Sequence, residues 1–172
     1  MMTNMLTATE LRDLLGLVPL PGEGGFYVET YRATNSIPSA DLPSVYGEQR
    51  SYCTAIYYLL TPETVSAMHR LPGDEIYHFY LGDPVEMLQL SSAGTGKVVI
   101  LGSDVRSGMR LQHVVPGGAW QGSKLKNGGK FALMGTTMAP GFEFADYAPG
   151  NRADLTRQFP AFAEMIRHLT HS

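Results

Sequence analysis

Between Tyr52 and Met138 the chain offers seven short runs of β-forming residues, and no convincing helical stretch separates them. The runs are Tyr52 to Leu60, Val65 to Leu71, Glu75 to Leu81, Val85 to Leu90, Lys97 to Leu101, Gln112 to Val115 and Phe131 to Met138, with Gly, Pro, Asn or Asp at the breaks. Many short strands joined by Gly/Pro turns predict an all-β sandwich or barrel. An eighth strand precedes them, where Gly22 to Gly25 turn the chain and Phe26, Val28 and Thr30 alternate with Tyr27, Glu29 and Tyr31.

Helices are expected only at the two ends. Thr7-Ala8-Thr9-Glu10 has capping-box spacing, and Leu11, Leu14 and Leu15 follow as a short apolar stripe that Gly16 and Pro19 stop. This predicts a cover helix over about 8–15. Asn151 can cap a helix over Arg152 to Gln158, Pro160 interrupts, and Phe162, Met165, Ile166 and Leu169 recur at helical spacing. No repeat or composition shift divides the chain, so residues 1–172 are expected to form one domain with its barrel over about 24–147.

Composition removes several classes of function. The 172 residues are 44% hydrophobic and 17% charged, which suits a packed core rather than disorder. Lys and Arg number 13 against 16 Asp and Glu, a formal charge of -3, with no basic cluster to neutralise phosphates, so nucleic acid is not an expected partner. No apolar run reaches the length of a bilayer span and no leader pattern is present, which predicts a soluble cytoplasmic protein with no membrane partner. The single Cys53 cannot form an internal disulfide and sits in an apolar strand-like segment, as an inert thiol in a reducing compartment would. There is no phosphate loop before a helix and no Ser in a G-x-S-x-G context.

Titratable side chains concentrate in one stretch, SAMHRLPGDEIYHFYLG from Ser66 to Gly82, which holds His69, Asp74, Glu75 and His78. This stretch resembles the first motif of the cupin superfamily, in words a Gly, five residues, His-x-His, three or four residues, Glu, six residues, Gly. Laid on this chain, the two His positions fall on Ala67 and His69, the Glu on Glu75 and the closing Gly on Gly82. The second cupin motif, Pro-x-Gly-x-x-His, resembles Pro116 to Gln121, with Gln121 at the His position. The runs GGFYVETYR, TAIYYLL, HRLPGDEIYHFYLG, VVPGGAWQGS and APGFEFADY, in this order, resemble the uncharacterised fifth cupin subgroup. The resemblance implies a double-stranded β-helix, or jelly roll, with short N- and C-terminal helices, a ligand site inside the barrel and a homodimer. In such a dimer the GGFYVETYR strand is a candidate to complete the partner's site.

Most cupin enzymes hold Fe, Mn, Ni or Zn with three His and one Glu. Only His69 and Glu75 stand at those positions, so no cofactor is expected. A divalent metal, were one bound, would take His69, Glu75 and Gln121 as ligands. Strand alternation places Val65, Ala67 and His69 on one face, and Glu75, Tyr77 and Phe79 on another, with His78 and Tyr80 opposite. The lumen is therefore expected to hold His69, Glu75, Tyr77, Phe79 and Gln121, joined by Gln89 and Tyr57, with Glu29 and Tyr31 adding polar groups from the first long strand.

Apolar walls with a few hydrogen-bonding groups suit a small polar metabolite, such as a sugar or nucleotide sugar. His69 is the expected general base, Glu75 or Asp74 its orienting carboxylate and a tyrosine such as Tyr77 the acid. That set resembles the nucleotide-sugar epimerases of the superfamily, which makes an isomerase or epimerase the leading reading. The alternatives are a non-catalytic binding module and a metal-dependent dioxygenase-type cupin.

Overall fold

The computed structural model describes residues 6–171. In chain order the strands are β1 (Val18–Pro19), β2 (Phe26–Arg32), β3 (Ser36–Ile37), β4 (Arg50–Ser51), β5 (Thr54–Leu60), β6 (Val65–Arg70) and β7 (Glu75–Gly82). There follow β8 (Val85–Leu90), β9 (Gly96–Leu101), β10 (Gln112–Val115), β11 (Trp120–Leu125), β12 (Ala132–Met138) and β13 (Ala148–Pro149). Helix α1 (Ala8–Leu15) precedes them, and α2 (Arg152–Gln158) and α3 (Ala163–His168) close the chain.

Among the described residues eleven strands form two antiparallel sheets, in the orders β1-β2-β5-β12-β7-β10 and β13-β6-β11-β8-β9, and β3 pairs with β4 in a small sheet of their own. The sheets face each other across a core in which Tyr58, Tyr77, Phe79 and Met134 of the first meet Val85, Met87, Leu101 and Leu125 of the second. This is the all-β architecture with terminal helices that the strand pattern predicts, in the jelly-roll form that the resemblance implies. Strand β11 is the main element that propensity misses. Its sequence WQGSKL lacks β-branched residues, yet it is central in its sheet and pairs with β6 and β8 at once. Tertiary pairing overrides a weak local preference here.

The helices cover the outer faces. Thr7 caps α1 with a full capping box, its hydroxyl accepting from the Glu10 N–H and its own N–H donating to the Glu10 carboxylate. Helix α1 then lays Leu11 on Leu59 and Leu133 of the first sheet. Asn151 caps α2 through the Asp154 N–H, and Leu155, Phe159, Ile166 and Leu169 close over Met68, Leu88 and Leu90 of the second sheet.

Candidate functional site

The site begins with a register shift. Across β11 and β6, Gln121 lies opposite His69 and Ser123 opposite Ser66, so β6 spends one residue more than its partner over that interval. Such a β-bulge reverses strand alternation downstream of it. Ser66 and His69 thereby face the lumen together, while Val65 and Met68 pack outward beneath the C-terminal helices. The expected grouping of Val65, Ala67 and His69 on one face is corrected by this bulge. Ala67, where the first cupin histidine would stand, is in the bulge: its N–H donates to the Glu23 carbonyl at 2.9 Å, and its carbonyl accepts from His69 Nδ1 at 2.7 Å.

A carbonyl can only accept, so His69 Nδ1 carries the proton and Nε2 is the free nitrogen. Nε2 faces Glu23 Oε2 at 3.8 Å. The ring stacks on Tyr147 with centroids 5.1 Å apart, and His69 is only 1% exposed. Glu23 is carried by the turn before β2. Gly24 and Gly25 take positive φ there, and a Cβ on Gly24 would collide with the Val65 carbonyl. Tyr58 fixes the turn by donating to the Gly24 carbonyl at 2.9 Å, and Ser66 donates to Glu23 Oε1 at 2.6 Å.

Glu75 opens β7 at the same end of the lumen and accepts from Gln121 Nε2 at 2.6 Å. Burial pushes the Glu75 carboxyl above the ordinary carboxylate range and the nearby Glu23 adds to this, against the opposing pull of His69, Thr136 and Gln121. Gln121 Oε1 is buried without a hydrogen-bond partner. Tyr77 is buried on the same face, and burial, then the Glu75 and Glu23 carboxylates, raise its hydroxyl well above the usual value.

A cavity of about 450 Å³ opens beside this cluster. Glu23, Glu75 and Tyr147 line it at the buried end, and Leu20, Tyr27, Ile56, Leu71, Met138 and Phe142 give it apolar walls. Glu29, Arg32 and Glu143, each about a third exposed or more, line its solvent side. His69, Tyr77 and Gln121 stand behind the lining rather than in it.

The remaining expected site residues are scattered. Phe79 packs in the core between the sheets. Gln89 is buried and its Oε1 accepts from His113 Nε2 at 2.8 Å, away from the cavity lining. Tyr57 does not face the lumen: it packs on the outer face with the α1 cluster and meets Tyr80 edge-on at 5.8 Å, while its neighbour Tyr58 points inward. Tyr31 is 56% exposed, because a second bulge between Glu29 and Tyr31 turns it out and brings Arg32 into the lining instead. His78 lies opposite Tyr77, between Thr137 and Gln112 at 3.2 Å each. Asp74 accepts from the Gly117 N–H at 2.8 Å and so holds a turn rather than the site.

Sequence reasoning missed Glu23, Tyr147 and His113. For Glu23 a signal existed: a single carboxylate among three glycines, where backbone must approach another element closely. For Tyr147 there was none beyond its place in the run APGFEFADY.

A sequence profile of the family described as Cupin superfamily (DUF985) matches residues 9–149. The chain belongs to the cupin superfamily. This cupin is 29% identical over 134 residues to the Uncharacterized protein YML079W of Saccharomyces cerevisiae, a match covering 73% of this chain and 66% of the yeast protein's length. Among solved structures it is similar to a hypothetical protein from Leishmania major, 31% identical with a TM-score of 0.86, covering 97% of this chain and 100% of that one. Protein SO0799 from Shewanella oneidensis is equally similar, at 31% identity and a TM-score of 0.85 over 97% of this chain and 99% of that one. Oxalate decarboxylase from Bacillus subtilis shares the fold alone, at 13% identity and a TM-score of 0.52 over 89% of this chain and 37% of that one.

The residues at the usual cupin metal position do not fit the three-His, one-Glu set. Ala67 offers no donor, His69 Nε2 faces Glu23, and the Gln121 amide N–H is turned onto the Glu75 carboxylate, pairing the two as donor and acceptor. Among the described residues no group of three or more His, Cys, Asp or Glu is arranged to hold an ion. No helix among them is long and apolar enough to cross a membrane.

Proposed function

We propose that this cupin binds a small polar metabolite of about sugar size in the cavity between its sheets, and isomerises or epimerises it by proton transfer. The observation that supports this is the pairing of the half-buried Glu23 with the His69 imidazole, close to the buried Glu75, at one end of an apolar-walled cavity. A cavity of about 450 Å³ is within the range of small-molecule sites.

In this reading the Glu23–His69 pair is the base. Glu23 reaches the cavity, and a proton drawn from the carbon beside a ligand carbonyl passes to His69 Nε2, the nitrogen of that ring without a proton of its own. The electron pair of the broken C–H bond moves onto the carbonyl oxygen. Glu75 is held toward its protonated form by burial and serves as the acid that returns a proton to carbon, ending the enolate. Tyr77 does not line the cavity, so the acid role expected of it passes to Glu75, with Tyr147 the tyrosine in the lining that stacks on His69. The likeness to nucleotide-sugar epimerases lies in this His, carboxylate and Tyr set, and it is an analogy of fold and residue type.

One observation favours a second reading, that of a non-catalytic binding module: His69 is 1% exposed beneath Tyr147. Heavy-water exchange separates the two. A keto-sugar that raises the melting temperature should gain deuterium at the carbon beside its carbonyl, and His69→Gln should abolish this while retaining binding. A bound ligand that gains no deuterium over many hours leaves the binding module.

A further inference from the structure

We infer that the cavity selects an organic cation, an amine-bearing ligand of about sugar size, and turns away ligands carrying phosphate or carboxylate. This rests on the reading of the cavity as a ligand site and specifies the charge class of its occupant.

Arg32 is the only Lys or Arg that lines the cavity among the described residues. All five of its N–H groups are already engaged. Nε donates to Glu29 Oε1 at 3.0 Å and Nη2 to Glu29 Oε2 at 2.8 Å, so the guanidinium holds that carboxylate with two bonds. Nη2 also donates to the Phe142 carbonyl at 3.1 Å, and Nη1 to Glu143 Oε1 at 2.6 Å and to Ser51 Oγ at 3.4 Å. No donor remains to seat an anion.

The charge balance points the same way. Glu23, Glu29 and Glu143 outnumber Arg32 before Glu75 is counted, so the lining stays negative even with Glu75 protonated and His69 charged. A diphosphate would enter against this field and find no free cation. The four rings of Tyr27, Phe142, Phe144 and Tyr147 also line the cavity, and aromatic faces attract ammonium groups.

A bare metal ion is a poorer fit, because it needs several oxygens converging on one point. Here the carboxylates are separately tied, Glu23 to Ser66, Glu75 to Gln121, and Glu29 and Glu143 to Arg32. They supply a diffuse negative field rather than a cage. A diffuse field with aromatic and aliphatic walls suits an alkyl- or arylammonium ion.

The test uses three probes of one shape, phenethylamine, 2-phenylethanol and 3-phenylpropionate, titrated calorimetrically into the full chain at pH 7 and low salt. The amine should bind at least about tenfold tighter than the alcohol, weaken as salt rises, and leave the carboxylate unbound. The double variant Glu29→Gln, Glu143→Gln frees Arg32, so it should lose about tenfold in amine affinity and begin to bind the carboxylate. Met138→Trp, which fills the lining, should remove amine binding; retention there would place the amine elsewhere and overturn the inference. Equal affinity for all three probes, or preference for the carboxylate, overturns the charge selection and leaves the ligand site standing. Silence from all three overturns the inference, and the ligand site falls with it only if keto-sugars also leave the melting temperature unchanged.

Discussion

Gln121 stands between two demands at the centre of the site. Its amide N–H stabilises a buried Glu75 carboxylate, yet its own Oε1 is left in the interior without a partner. Gln121→Leu should therefore destabilise the fold by about 1–3 kcal/mol, since it takes a hydrogen bond from the buried Glu75. Urea unfolding measures this, and a neutral result would show that the amide contributes nothing to holding the carboxylate. Glu75 also sets a pH dependence. Its folded-state pKa lies above the ordinary 4.5, so its favourable contribution is present in full below 4.5 and is lost as pH rises through the folded value. The Glu75→Gln chain should lack that decline. His113 acts with the opposite sign: burial, reinforced by Lys97 and Arg110, lowers its pKa from 6.5. Its contribution is present above 6.5 and lost as pH falls through the lowered value, a loss that His113→Gln should abolish.

Elements, rather than single residues, decide which side chains meet. The bulge in β6 brings Ser66 to Glu23, and the glycine turn before β2 brings Glu23 to His69. Gly24 has a φ of 101° and its missing Cβ leaves room for the Val65 carbonyl. Gly24→Ala is expected to cost at least about 2 kcal/mol, because it adds a collision to an unfavourable φ. It should also withdraw Glu23 from the site. Loss of ligand binding out of proportion to the fall in melting temperature would show both effects, whereas normal stability would mean that the turn tolerates a side chain. The C-terminal helices act by burial. Ile166 is fully buried between them and the second sheet, so Ile166→Ala should cost about 2–5 kcal/mol in thermal or chemical unfolding.

For the molecule as a whole, the homodimer implied by its resemblance to other cupins is a proposal, and sedimentation equilibrium should return twice the chain mass; a monomer across the micromolar range would refute it. The strand β2 suggested for completing a partner's site lines its own chain's cavity through Tyr27, Glu29 and Arg32. The all-β architecture and its terminal helices were legible in the sequence, because propensity, turn residues and capping spacing are local, while the jelly-roll form was implied by the resemblance. His69 and Glu75 are both buried, at the positions where the resemblance to the first cupin motif implies inward side chains. What the sequence could not show was set by register. One extra residue in β6 and another in β2 reversed which neighbours faced inward, turning Tyr31 out and Arg32 in, and Tyr57 lost its expected place to Tyr58. Only the tertiary structure brought Glu23 and Tyr147, far apart in the chain, onto the two sides of His69, because contacts between distant segments are fixed by how strands pair and not by what any one of them prefers.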